Sequence, residues 1–547
     1  MTAVRTTRSA SARAPATVAE GLVAALAARG VKVIYGLPGG RSSLDLLAAA
    51  RAQGVGFVLA RHESAAAMMA AAHAELSGAV VAVLTTKGPG VGNVANGVAH
   101  ACLDRAPVVV VTEGVSAEHL AFATHQMFDQ RGMLAPVVKA HSRLEGDDAG
   151  DEIERLLATA LRPRQGPVHI ELTGPAARAP LRTAAPAVPE PLGIDDKAVA
   201  SARAMLARAR RPVVVAGLEA RGCADAVRGL VEALGCPALV TYKAKGVVAD
   251  THPQFGGIFT GGAAEQPLVR QSDLIVLAGV DPVEFVLQPW PYACPVLEVG
   301  WTPHPLHYVK AACTVHGDIA GHLQRIGTNA RKSAWTLAEI ADLRGDMFAA
   351  LRYRGGREGM SPEAVVRIAA EAAEGLRRWP RVTVDAGAHM FSATAFWPCQ
   401  APNDLLISNG LASMGFALPA AIASARFDPR RTTIAFTGDG GLLMCLGDLA
   451  TAAQQRAPVV VVVFNDGALS LIDIKQKDLA LPPRAVRWER PDFAAVARGF
   501  GGRGFRVSTV TGYRRALRAG LEAPGLTVID VAIDASGYAR QLAALRG

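Results

Sequence analysis

The residues best placed to do chemistry lie in TGDGGLLMCLGDLATAAQQRAPVVVVVFNDG, Thr437–Gly467, where two apolar strands bracket a helical segment. The first strand ends at Asp439 and the second at Asn465, 26 residues further on. In parallel α/β sheets ligands collect at the carboxyl ends of strands, because helix N-termini and free backbone N–H groups converge there. Gly438, Gly440 and Gly441 carry no Cβ, so the backbone can approach a phosphate closely. A carboxylate and an amide oxygen are hard ligands that suit Mg²⁺, whose octahedron is completed by phosphate oxygens and water. A second signal is RHESAAAMMAAAHAEL, in which Glu63 follows the strand-like FVLAR and opens an alanine-rich helix. A carboxylic acid half buried at such a corner has its pKa raised toward acid–base use. The bland alternative is a favourable contact with the helix dipole.

GDG followed at this spacing by a strand ending in Asn-Asp is the signature of thiamine-diphosphate enzymes. The chain resembles the superfamily of acetolactate synthase, benzoylformate decarboxylase and benzaldehyde lyase over roughly residues 17–535. The resemblance implies pyrimidine-binding, central and diphosphate-binding domains in that order. It implies that Asp439, Asn465 and the Gly467 carbonyl hold Mg²⁺ against a diphosphate, which Gly387 and His389 of DAGAHMF also contact. It implies that Glu63 hydrogen-bonds the aminopyrimidine ring and so activates the cofactor, while His62 is structural. VLTTKGPGVGN is similar to the family's pyrimidine turn, with Thr86, Pro89 and Asn93 near the ring and Gly88, Gly90 and Gly92 as permissive turn residues. In SNGLASMGFALPAA, Met414 would separate the two cofactor rings and the Ala412 carbonyl would accept from the amino group.

The chain also departs from the family pattern. Lys87 stands where a serine is common, which sets a cation beside the site; the alternative is a solvent-facing loop lysine. Lys475 stands where anabolic acetolactate synthases carry tryptophan. GVDPVEF, Gly279–Phe285, replaces the arginine-bearing segment of FAD-containing members, which speaks against FAD. His125 and Gln126 occupy the place of a Phe-Gln pair. With Gly40, Lys87, Leu471, Ile472 and Lys475 they form the candidate substrate pocket. Only about a dozen residues follow the last strand near Ile533, so a lid from this tail is expected to be small or to come from elsewhere.

The elements that must position these groups form three α/β segments, consistent with a length that exceeds one hydrophobic core. The expected division is a disordered tail at 1–16, a pyrimidine-binding domain at 17–176 and a proline-rich linker at 177–192. A central domain at 193–330, a connector at 331–360 and a diphosphate-binding domain at 361–540 follow. Strands are expected at Val31–Gly36, Val80–Thr86 and Val108–Thr112 in the first domain. The second has Val213–Ala216, Ala238–Thr241, Leu274–Ala278 and Val296–Val299, separated by helix-length segments. The third opens with a helix at Pro362–Arg377, and its strands are Val382–Asp385, Thr433–Thr437, Val459–Phe464 and Thr527–Val531. The first and third domains are candidates for a shared fold.

The longest apolar runs, such as Val459–Phe464, are strand-length, which excludes a bilayer span. The net charge of +9 comes from dispersed Lys and Arg without interleaved aromatics, which argues against nucleic acid. Seven cysteines without CxxC spacing argue against a zinc site and a disulfide framework and suit a reducing compartment, the cytoplasm. Arg5, Arg8 and Arg13 in an acid-free N-terminus loosely resemble a transit peptide, though a tail is the simpler reading.

The function expected is decarboxylation of a pyruvate-like 2-oxo acid, with transfer of the acyl anion to a second carbonyl. The enzyme would be a homodimer or tetramer with sites at the subunit interface. The competing readings are a non-ligating decarboxylase or C–C lyase for an anionic substrate, and an inactive regulatory paralogue. Thr85, Thr86 and Lys87 in place of histidines weaken the first, and retention of Glu63, Asp439 and Asn465 weakens the second. Glu63 also argues against a glyoxylate-carboligase-like enzyme, which lacks this acid.

Overall fold

Apolar strands buried on both faces, each needing a crossover to run parallel to its neighbour, organise the chain into three six-stranded parallel sheets. The computed structural model describes residues 17–547 except 146, 183, 286–288, 305–308 and 357. The tail expected at residues 1–16, with Arg5, Arg8 and Arg13, lies outside the described residues.

The first sheet holds β1 Val33–Gly36, β2 Gly56–Leu59, β3 Val81–Thr85, β4 Val108–Gly114, β5 His141–Leu144 and β6 Val168–Thr173, in the order β2-β1-β3-β4-β6-β5. The second holds β7 Pro212–Ala216, β8 Ala238–Val240, β9 Phe255–Ile258, β10 Leu274–Ala278, β11 Val296–Gly300 and β12 Cys313–His316, in the order β12-β11-β10-β7-β8-β9. The third holds β13 Arg381–Val384, β14 Leu405–Ile407, β15 Thr433–Gly438, β16 Val459–Asn465, β17 Arg503–Val507 and β18 Thr527–Ala532, in the order β14-β13-β15-β16-β18-β17. The first and third sheets therefore share one strand order, and the second has the dinucleotide-fold order.

Several expectations need correction. The segment between β8 and β10 holds β9 and the four-residue helix Gln266–Val269 rather than a long crossover helix. The helix opening the third segment stops at Ala373, before Gly375, which adopts a φ of 84°. In the connector, the helix Leu337–Ala350 starts at a capping box formed by Thr336 and Glu339.

Two helices bring the first and third sheets together. Glu63–Ser77 packs against Ala417–Phe427, and both helices belong to one core cluster rich in buried alanines, among them Ala66, Ala67, Ala70, Ala420 and Ala421. Alanine favours the helix and removes bulk between the two axes, so the helix that begins with Glu63 is held on both sides. A buried charge cluster adds to this junction. Lys243 Nζ donates to Glu75 Oε2 at 2.7 Å, to Asp104 Oδ2 at 3.2 Å and to the Ile407 carbonyl at 3.1 Å. The three segments thus meet at one ammonium group. Among the described residues no helix is long and apolar enough to cross a membrane, and all seven cysteines are free.

The second sheet reverses strand order between β7 and β10, where a nucleotide phosphate would ordinarily sit. Here that place is filled by the chain itself. Glu284 Oε2 accepts from the Leu218 N–H at 2.8 Å and the Asp281 N–H at 3.0 Å, and Oε1 is hydrogen-bonded to Thr241 Oγ1 at 2.5 Å. Burial pushes the Glu284 carboxyl up to about 8. Its folded pKa lies above the unfolded value, so the native state keeps a proton that the unfolded chain has lost. Stability from this group is then present at acid pH and falls as pH rises from about 4.5 to about 8. Glutamine reproduces the protonated form, with its amide donating to Thr241. Glu284→Gln should flatten the pH dependence of the melting temperature between pH 5 and 8; parallel wild-type and variant curves would show that Glu284 is ionised throughout.

Candidate active site

The parallel ladder pairs Gly438 of β15 with Phe464 of β16, so Asp439 and Asn465 emerge next to each other at the same sheet edge. Asp439 opens the helix Asp439–Met444. Its Oδ1 accepts from the Gly440 N–H and its Oδ2 from the Gly467 N–H, both at 2.8 Å. Burial, and then the neighbouring Asp466, push its carboxyl up to about 7, as expected of an anion that lacks a counter-charge.

Asn465 is buried, and its Nδ2 donates to the Pro491 carbonyl at 3.1 Å and to Asp530 Oδ1 at 2.8 Å. Both partners are acceptors, which fixes the orientation of the amide and leaves Oδ1 buried without a donor. An oriented, orphaned oxygen beside a buried carboxylate is what a hard cation would satisfy. Gly467 has φ 71°, and a Cβ there would lie 2.8 Å from the Trp488 carbonyl. The Gly467 carbonyl accepts from the Trp488 N–H at 2.9 Å, so one lone pair remains for a metal.

On the adjoining strand end, His389 starts the helix His389–Phe396 and stacks on Phe464 with centroids 5.0 Å apart. Burial draws its pKa down to about 4, which leaves a neutral ring at physiological pH, and Nε2 is buried without a partner. Gly387 passes close by, and a Cβ there would lie 2.9 Å from the imidazole. Ala412 adopts φ 51°, a left-handed conformation that costs a non-glycine residue about 1 kcal/mol or more and points to a functional constraint on its carbonyl.

One cavity of about 270 Å³ is lined by Gly387, His389, Ala412, Met414, Gly438, Asp439, Gly440, Gly441, Leu471 and Ile472, while Asn465 and Gly467 are not among its described lining residues. Lys475, on the same helix as Leu471 and Ile472, is exposed and outside the cavity lining.

The first sheet forms a separate constellation. Glu63 is buried at its helix start, and Asn93 Nδ2 donates to Glu63 Oε2 at 3.0 Å. His62 is the N-cap, its Nδ1 accepting from the Ser64 N–H at 3.2 Å. Pro89 occupies the first turn of the helix Pro89–Leu103, where its missing N–H costs nothing. Lys87 Nζ lies 3.6 Å from Glu113 Oε2, which also accepts from the Gly40 N–H at 3.0 Å and from Thr86 Oγ1 at 3.1 Å. The lysine is thus already paired. His125 and Gln126 are exposed, and the Gln126 backbone closes on Gly88, whose Cβ would meet the Gln126 carbonyl at 2.5 Å. No first-sheet residue is among the described residues that line the glycine-rich cavity. Met414 borders both that cavity and a groove formed by His62, Ser64, Asn96 and Ser413.

The three sheets match three descriptions in chain order. Residues 16–133 match "Thiamine pyrophosphate enzyme, N-terminal TPP binding domain", 199–326 the central domain and 385–531 the C-terminal TPP binding domain. The large subunit of Escherichia coli acetolactate synthase isozyme 3 is 30% identical over 556 residues, covering 95% of both chains. The chain belongs to the thiamine pyrophosphate enzyme family. A probable 2-ketoarginine decarboxylase of Pseudomonas aeruginosa is 29% identical, with 94% of each chain covered. The solved structure of a thiamine diphosphate-dependent 4-hydroxybenzoylformate decarboxylase from Rhodococcus jostii shares the fold at TM-score 0.83 and 22% identity, covering 95% of this chain and 99% of that one.

Sequence reasoning missed four contributors to this thiamine enzyme's site region. Glu113 closes β4 and organises the lysine turn. Tyr538 and Arg546 reach the cavity from the helix Tyr538–Arg546, beyond the last strand. The fourth is Asp385, fully buried after β13, which ties the Met414 loop to the glycine loop. Its Oδ2 accepts from the Gly415 N–H at 3.1 Å and Thr437 Oγ1 at 2.8 Å, and its Oδ1 from the Phe416 N–H at 3.0 Å. Burial pushes its carboxyl up to about 6. Its visible signal was a carboxylate ending an apolar strand at the same edge as Asp439. Asp385→Ala strands three buried donors and should lower the melting temperature by about 5 °C or more. An unchanged melting temperature would mean that those donors find other acceptors.

Proposed function

We propose that the chain is a thiamine diphosphate- and Mg²⁺-dependent enzyme that decarboxylates a pyruvate-like 2-oxo acid and joins the acyl anion to a second carbonyl, as acetolactate synthases do. The observation that carries this reading is the orphaned Asn465 Oδ1 on the strand end adjoining that of Asp439, which itself lines a glycine-rich cavity. Asp439, Asn465 and the Gly467 carbonyl would hold the metal, and the backbone of Gly387 with His389 would hold the diphosphate. Bound thiamine diphosphate supplies an electron sink that lets the bond to the departing carboxylate break.

The chain's own groups do the rest. Neutral His389 can donate one N–H to a phosphate oxygen without bringing a charge. Asp439, which burial alone disfavours as an anion, would be held ionised by a bound cation. Leu471 and Ile472 keep water from the reacting carbon. Glu63 exchanges a proton with the cofactor's pyrimidine, its carboxyl held in place by Asn93 and by the capped helix start. Thr86 and Pro89 shape the wall of the pyrimidine turn.

Within one chain Glu63 does not line the cavity. We therefore propose a homodimer, or a tetramer built from such dimers, in which the pyrimidine-binding domain at 17–176 of one copy faces the diphosphate-binding domain at 361–540 of another. Seven free thiols suit a reducing cytoplasm. FAD is not part of the reading, because Glu284 occupies the amides at the switch point of the central domain. A non-ligating decarboxylase is the second reading, supported by the decarboxylase among the relatives.

The test is carbon dioxide release and acetolactate formation from pyruvate with thiamine diphosphate and Mg²⁺. Glu63→Gln should lower turnover by about 100-fold or more while cofactor affinity stays within a few-fold. A variant as fast as wild type would sink the role of Glu63, and carbon dioxide without acetolactate would favour the second reading. Specific activity should also fall on dilution to low nanomolar enzyme, and constant activity in a verified monomer would contradict the shared site.

A further inference from the structure

One face of the helix Pro89–Leu103 links Glu63 to the glycine-rich cavity of the same chain. Asn93, Asn96 and His100 follow each other at helical spacing, and Asp104 caps the helix one turn further on. Asn93 holds Glu63. The other three reach the loop from Ser408 to Met414, which brings Ala412 and Met414 to the cavity wall. Asp104 Oδ1 accepts from the Gly410 N–H at 2.8 Å and its Oδ2 from the Asn409 N–H at 3.4 Å. Gly410 runs so close to the helix end that a Cβ there would stand 2.7 Å from Leu103 Cβ. Asn96 Nδ2 donates to Ser413 Oγ at 3.1 Å.

His100 is the link that reaches the loop's backbone beyond Ala412. It is fully buried against the Phe416 ring, with centroids 4.7 Å apart, and burial lowers its pKa, so the imidazole is neutral. Nδ1 lies 3.0 Å from Ser408 Oγ and 3.3 Å from Asp104 Oδ2, whereas Nε2 is buried without a hydrogen-bond partner among the described residues. The Asp104 carboxylate can only accept, so the proton belongs on Nδ1 and Nε2 keeps a lone pair. Ser408 Oγ then accepts from His100, and it also accepts from the Ser413 N–H at 3.1 Å. The left-handed turn at Ala412 falls between the anchors at Gly410 and Ser413. A strained residue of that kind persists only where its surroundings over-determine it. Here one anchor runs back through Ser408 to a single imidazole N–H.

We propose that His100 is a positioning residue: through Ser408 it holds the turn at Ala412, and with it the Ala412 carbonyl and the Met414 side chain, in the geometry that receives the cofactor. This rests on the reading of the cavity as a thiamine diphosphate site. His100 is not among the described residues that line the cavity, so its effect passes through the loop.

The experiment compares wild type with His100→Phe, which keeps a ring in the core without the N–H, and with His100→Gln, which keeps a neutral donor. Ser408→Ala and the double variant of His100→Phe with Ser408→Ala complete the set. Thiamine diphosphate affinity is measured by calorimetry in the presence of Mg²⁺, beside kcat and KM for pyruvate and the melting temperature. His100→Phe and Ser408→Ala should each weaken cofactor binding by about fivefold or more, because the turn relaxes before the cofactor arrives. Turnover should fall by about tenfold or more with KM within about twofold, since a misplaced cofactor costs rate rather than substrate binding. His100→Gln should recover part of both losses. The double variant should be no worse than the poorer single one, because each substitution breaks the same link. Cofactor affinity requires no knowledge of the acid turned over, so it tests the proposal even where pyruvate is a poor substrate. Unchanged affinity in both single variants would overturn the proposal. So would losses that multiply in the double variant, or losses that follow the melting temperature and are not restored in His100→Gln. Failure of wild type to bind thiamine diphosphate at all would instead remove the underlying reading, and the proposal with it.

Discussion

Everything at the candidate site depends on the parallel register between β15 and β16. A slip of one residue would turn each alternate side chain to the other face of the sheet. The pairing of Gly438 with Phe464 is what sets the Asp439 carboxylate and the Asn465 amide at one edge, close enough for Asp439 to reach the Gly467 N–H. Asp385 extends the same logic to β13. By accepting from Gly415, Phe416 and Thr437, it fastens the loop carrying Met414 to the strand end carrying the glycines. A buried carboxylate is costly unless its lone pairs are filled, and here filling them is what joins the two loops.

The second constraint lies between the sheets. The alanine contact between Glu63–Ser77 and Ala417–Phe427, together with Lys243 bridging Glu75, Asp104 and Ile407, fixes the first sheet relative to the third within one chain. That rigidity has a consequence for function. Glu63 is not among the described residues that line the glycine-rich cavity of its own chain, so the proposed pairing of its carboxylate with that cavity calls for a second copy. On that reading the packing that orders one chain also shapes what it can offer to another.

The legible parts of the sequence were those that local physics determines. Continuous Val-rich runs such as Val459–Phe464 must be buried strands, and polar residues ending them must sit at the ligand edge. Among the strands left out, His141–Leu144, Phe255–Ile258, Cys313–His316 and Arg503–Val507 are short and mix polar residues or glycine into the apolar pattern, so tertiary pairing rather than periodicity creates them. Val168–Thr173 and the three-residue Leu405–Ile407 were left out as well. Residues whose roles come from distant partners were equally hidden. Nothing near Glu113 in the chain signals that Gly40, Thr86 and Lys87 converge on it. The lysine itself read as a cation available to a substrate, yet its nearest carboxylate already answers it.

One part of the cavity wall comes from the opposite end of the chain. The expectation of a small lid after the last strand considered only the length of the tail, whereas its effect depends on where nine helical residues dock. Because Leu545 is anchored to Ala263 and Gln541 to Leu351 and Ser392, one turn of helix is enough to bring a guanidinium to the cavity. This wall of the cavity is therefore held by the second and third domains together. The glycine-rich wall is held by the ends of β15 and β16, and the wall facing it depends on a helix packed against another domain. Substitutions at that junction can reshape the cavity without touching the groups at the ends of β15 and β16.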